Sequence, residues 1–83
     1  MATVPLTSLE AGSAGTVAGV APPQPGQDPE LVLRLIEIGF LPGEAVRVIA
    51  RGRPGNDPIA VRLGHTTFAL RRFEAAFVQI QGA

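Results

Sequence analysis

The chain has 83 residues, with seven arginines, seven acids and no lysine, so its formal net charge is zero and nothing pulls it at long range toward nucleic acid or anionic lipid. It has no cysteine, tryptophan or tyrosine, which excludes disulfide staples, thiolate zinc sites and thiol chemistry and leaves few rings for base stacking. Apolar residues make up 46% of the sequence, enough for the core of one small domain spanning 1–83.

No apolar run approaches the roughly 20 residues of a membrane span, so direct membrane insertion is not expected. The first residues, MATVPLTSLEAG, lack a basic stretch followed by an apolar one and do not read as a secretory signal. The expected location is cytoplasmic.

In chain order, Leu6 and Leu9 precede a glycine-rich turn, Gly12 to Gly15. Thr16, Val17 and Val20 are β-branched and predict a short strand, although neither parity is cleanly apolar. Gly19 within it marks a bend or a close backbone approach. Residues 21–28 form a loop, because Pro22, Pro23 and Pro25 remove donors and fix φ.

Asp28-Pro29-Glu30 opens a helix: the aspartate caps, the proline suits the first position and the glutamate meets the positive end of the dipole. Leu31, Leu35 and Ile38 line its inner face with Val32 and Ile36 beside them, and Glu30 pairs with Arg34 one turn on. Gly39 ends the helix in a left-handed conformation, and Phe40 packs back onto Leu35. Pro42-Gly43 predicts a type II turn.

Val46, Val48 and Ala50 alternate with Arg47, Ile49 and Arg51 in a strand. A polar loop, 51–58, follows. Ile59 to Leu63 and Thr66 to Leu70 are two more strands, joined by a tight Gly64-His65 turn, with Phe68 and Leu70 on one face. Residues 71–77 make a short helical turn, and Val78 and Ile80 belong to a last strand. The predicted fold is mainly β: a small SH3-like barrel of about five strands, with one amphipathic helix and a short helical turn.

Catalytic chemistry finds little support. Ser8 and Ser13 have no base near them in sequence, His65 is alone, and residues 52–57 lack the lysine and helix of a phosphate-binding loop. A strong metal site needs three or four clustered ligands. The chain offers His65 with a carboxylate such as Asp57 or Glu74, a set suited at most to weak transition-metal binding, bridging two chains of a homo-oligomer being one way to complete it. Arg47, Arg51, Arg53 and Arg62 read as solvated strand positions, with an acidic partner surface as the functional alternative and RNA phosphates disfavoured by the charge balance. Phe40 reads as core, whereas Leu41 sits on the outside of the turn without a structural explanation.

These segments resemble the FeoA family. Leu6, Leu9, Gly15 and Val17 match its N-terminal pattern. Arg34-Leu35, Ile38-Gly39-Phe40, Pro42-Gly43, Val46 and Val48 match its central one. Asp57-Pro58, Val61, Leu70-Arg71-Arg72 and Glu74-Ala75 match the rest. Only residues 21–28 depart, being longer and richer in proline. The resemblance implies an SH3-like barrel and a non-enzymatic accessory role in ferrous iron uptake beside the FeoB membrane transporter. From the few ligands on offer no cofactor is expected to be required, with Fe2+ or Zn2+ weakly bound at most. Leu41 and Pro42, with the helix flank at Arg34 and Glu37, are the expected docking surface, and Gly39, Phe40 and Gly43 are structural. The rival readings are a metal-responsive module like the SH3-like end of an iron-dependent repressor, and a small RNA-binding barrel.

Overall fold

The computed structural model describes residues 2–52, 55 and 57–82. Six strands form one antiparallel sheet: β1 (Thr3–Pro5), β2 (Ala14–Val20), β3 (Ala45–Arg51), β4 (Ile59–Leu63), β5 (Thr66–Leu70) and β6 (Val78–Gln81). Their order is β1-β6-β2-β3-β4-β5, so β1 and β5 are edges and the sheet does not close. A 3-10 turn, Leu6–Ser8, follows β1; helix α1 spans Pro29–Ile38 and the single turn α2 spans Arg72–Ala75. The five expected strands are present, and β1 is the addition.

β1 pairs with β6 through Thr3↔Gln81, Val4↔Ile80 and Pro5↔Gln79. Three residues ending in a proline carry no period-2 signal. Pro5 has no N–H to give, which restricts such a strand to an edge.

β2 is the hinge of the sheet. Its first half pairs with β3 (Ala14↔Arg47 to Thr16↔Ala45) and its second half with β6 (Val17↔Ile80 to Val20↔Val78). A bulge between Val17 and Gly19 lies in the second half. A strand that changes partner and carries a bulge cannot hold one buried parity throughout, which explains its untidy alternation.

β4 and β6 alternate regularly, and β3 does so up to a bulge between Val48 and Ala50. Val46 and Val48, then Ile59, Val61 and Leu63, then Val78 and Ile80 point inward with Leu6, Val17, Leu35, Phe40, Leu70 and Ala75. One sheet with this set on its concave side must wrap around it, and α1 covers what it leaves open.

The ends of α1 follow the sequence signals. An Asp28 carboxylate oxygen accepts from the Glu30 N–H at 2.9 Å, and Pro29 is the first helical residue. Gly39 has φ 125°, and its N–H reaches Ile36 O at 3.1 Å while the Phe40 N–H reaches Leu35 O at 3.2 Å. This pair of bonds is the Schellman arrangement, and it brings Phe40 and Leu35 into the same core cluster.

The inner stripe of α1 is narrower than expected. Val32 and Leu35 are buried and Leu31 and Ile38 half-buried, but Ile36 is exposed along with Leu33. The i, i+3, i+6 line through Val32, Leu35 and Ile38 faces the core, which turns Ile36 away from it. The expected Glu30–Arg34 pair does not form either. Arg34 reaches across to Glu74 on α2 at 3.4 Å, the single ion pair among the described residues.

Candidate functional site

The junction between α1 and β3 is a rigid corner. The Glu44 N–H donates to Leu41 O at 3.1 Å, closing a turn in which Gly43 has φ 92°. This fits the type II turn expected of Pro42-Gly43. β2 then clamps the turn twice: the Gly43 N–H donates to Val17 O and the Val17 N–H to Glu44 O, each at 2.8 Å. A turn closed on itself and held to β2 at Gly43 and Glu44 has little backbone freedom left to lose on binding.

On this corner Phe40 and Leu41 part company. Phe40 is 1% exposed, with its ring centroid 6.5 Å from that of Phe68 on β5. Leu41 is 45% exposed. It borders a shallow hollow of about 240 Å³ that also involves Ile38, Glu44, Leu63 and Phe68. The half-buried Phe68 therefore extends the apolar surface from Leu41 onto β5. Sequence alternation places Phe68 facing inward but gives no hint that it lies next to Leu41, because the two are far apart in the chain.

Arg34, Glu37 and Pro42 are exposed as well. Arg34 faces the α2 side, where it lines a second hollow with Leu31, Phe73 and Glu74. Glu37 lies one helical turn beyond Arg34, in the last turn of α1 before the corner. The four candidate docking residues thus span a helix flank and a turn, with Arg34 already tied to Glu74.

A third feature was not signalled by the sequence. Between the 21–28 loop, α1 and α2 lies a groove of about 560 Å³ lined by Ala21, Pro22, Leu31, Phe73, Ala76 and Phe77. Phe73 is 65% exposed. The spacing of Phe73 and Phe77 fits one helical face, but α2 is too short to bury both.

The candidate metal ligands are divided. Asp57 accepts from the Arg72 N–H at 3.0 Å, and Glu74 from the Arg71 N–H at 2.9 Å and from Arg34. The two carboxylates therefore satisfy the first free amides of α2. His65 lies beyond the far end of β4 from Asp57, a strand whose length alone is roughly 13 Å. Among the described residues no three His, Cys, Asp or Glu side chains group closely enough to hold a metal. The residues present do not fit a resident metal within one chain.

The arginines also divide. Arg51 donates to Thr7 O at 2.9 Å and to Leu9 O, pinning the 3-10 turn against β3. Arg47 and Arg62 are exposed on the outer face of the sheet. Arg53 lies outside the described residues.

Residues 4–81 match the FeoA domain family. The chain belongs to the FeoA family. A crystal structure of FeoA from Stenotrophomonas maltophilia complexed with zinc has a TM-score of 0.81 and 34% identity, covering 98% of this chain and 91% of that one. That protein is described as a prokaryotic SH3 domain protein and a candidate activating factor of ferrous iron transport. The solution structure of FeoA from Chlorobium tepidum has a TM-score of 0.76 and 28% identity, covering 94% and 69%. A manganese-dependent transcriptional repressor has a TM-score of 0.77 and 23% identity, and this chain covers 42% of it. That last likeness is one of fold alone. No curated protein matches the sequence.

FeoA membership connects the chain with ferrous iron transport and places its open sheet among SH3-like folds. The residues that carry the family pattern are largely architectural here. Gly39, Phe40 and Gly43 shape the corner, while Asp57 and Glu74 cap α2. Among the described residues no helix is long and apolar enough to cross a membrane.

Proposed function

We propose that this FeoA-family chain is a non-enzymatic cytosolic accessory protein of ferrous iron uptake that docks on the cytosolic region of a FeoB-type transporter. The docking surface is Leu41 and Pro42 with the flanking Arg34 and Glu37. The observation that carries the reading is Leu41: nearly half exposed, beside Ile38 and Phe68, at the start of a turn whose Gly43 and Glu44 are hydrogen-bonded to Val17 of β2. A pre-organised apolar side chain of this kind loses little entropy when covered.

Completing the burial of a half-exposed leucine stabilises a complex by about 1 kcal/mol, roughly five-fold in affinity. Leu41→Gln tests this. The variant should fold normally, because little of the core is touched, and should co-purify less with FeoB from membranes. Undiminished co-purification of a folded Leu41→Gln protein would rule the surface out.

A further inference from the structure

Arg47 on β3 and Arg62 on β4 are register partners, so two guanidinium side chains stand opposite each other on the outer face of the sheet. Like charges placed this way destabilise a sheet. A neighbouring carboxylate would relieve the repulsion. Among the described residues neither arginine has an acidic side chain within 4.0 Å, the one ion pair being Arg34–Glu74.

Each guanidinium is anchored by part of its fork. Nη1 of Arg47 donates to Gly12 O at 2.6 Å, and Nε of Arg62 donates to Gly64 O at 3.3 Å. Arg47 keeps its Nε–Nη2 edge and Arg62 its Nη1–Nη2 edge. Either edge is the parallel two-donor pattern that a carboxylate accepts bidentately. The surroundings leave room for a ligand. Ala14 is the register partner of Arg47 and Thr67 that of Arg62, and a small hollow of about 200 Å³ lies between the arginines, Ala45 and Gly64.

We infer that this face binds an acidic segment of a partner protein, with Arg47 and Arg62 each engaging one carboxylate. The balance of charges favours carboxylates over nucleic-acid phosphates: the chain has no lysine and no net positive charge, and no ring lines the hollow for a base to stack on. The face adjoins the Leu41 hollow, since Gly64 borders both. The inference rests on the charges and does not require Leu41 to bind anything.

Titration of the 15N-labelled full chain with hexaglutamate, followed by NMR, tests it. The expected result is saturable shifts centred on Ala14, Ala45, Arg47, Arg62 and Thr67 that shrink as salt is raised and are absent with hexaglutamine. The double variant Arg47→Gln/Arg62→Gln should weaken binding by ~10-fold or more. Its thermal midpoint should not fall, because it removes a like-charge pair. If the double variant does not fold, Arg62→Gln alone carries the comparison. Failure of hexaglutamate to shift these positions would overturn the inference, as would an undiminished response in the variant. Inorganic phosphate or a single-stranded RNA oligomer shifting the same residues as strongly as hexaglutamate would overturn it too.

Discussion

Gly15 on β2 lies against Ile80 on β6 so closely that a Cβ added to Gly15 would fall 2.6 Å from Ile80 Cγ2. The contact sits where β2 leaves β3 and takes up β6, and Ile80 is a buried core residue. Any side chain at position 15 forces the buried Ile80 side chain out of its packed position. Gly15→Ala should therefore destabilise the fold by about 1–3 kcal/mol. Ile80→Leu removes the branch methyl that the new Cβ would meet and should recover part of the loss. A double-mutant cycle by urea denaturation checks this, and strict additivity of the two changes would show that the contact is not the cause.

Phe40 and Leu41 are adjacent, and their substitutions should behave differently. Phe40 is packed between Leu35 and Phe68, so Phe40→Ala should cost about 3–5 kcal/mol. That is a large share of the roughly 4–12 kcal/mol expected for a domain of this length. Leu41→Gln should lower the unfolding free energy by well under ~1 kcal/mol. Comparable losses for the two would mean that Leu41 is a core residue and would remove the basis for a docking role.

The parts of the fold that were legible in the sequence are those where local chemistry decides. Asp28-Pro29, Gly39 and Pro42-Gly43 each impose a backbone geometry by themselves, so the helix and its exit could be read directly. β4 and β5 keep one buried parity on either side of a tight turn, and β3 does so up to its bulge after Val48, so their alternation was sufficient. β1 was not legible because it exists only through pairing with β6, which lies at the other end of the chain. The same reason hid the Phe68 contribution beside Leu41 and the Arg34–Glu74 pair. Asp57 and Glu74 looked like metal ligands as residue types. Only the fold shows that their oxygens accept from the amides that open α2.

The two ends of the Arg34–Glu74 pair should be unequal. Arg34 is 67% exposed on its side chain, and a pair of this kind contributes about 0.2–1 kcal/mol before screening by salt. Arg34→Ala should therefore be nearly silent in stability. Glu74 is mostly covered and also accepts the Arg71 N–H at 2.9 Å, so Glu74→Ala removes the N-terminal cap of α2 as well. Its loss should be about 1–2 kcal/mol and largely independent of salt. Denaturation of both variants at low and high salt checks the asymmetry. Equal, salt-sensitive losses would show that the ion pair, and not the cap, carries the stabilisation.

Metal binding by the isolated chain should be weak. His65 and Asp57 are held beyond opposite ends of β4, and Asp57 and Glu74 each already accept a backbone N–H. Recruiting both carboxylates would uncap α2, and His65 would still be out of reach. Calorimetric titration with Zn2+, or with Fe2+ under anaerobic conditions, should give no one-to-one site tighter than about micromolar, since one imidazole and scattered carboxylates cannot complete a coordination sphere. His65→Ala should change the isotherm only slightly. A sub-micromolar site abolished by His65→Ala would require ligands from a second chain, and a concentration-dependent rise in mass on adding metal, measured by light scattering, would then accompany it.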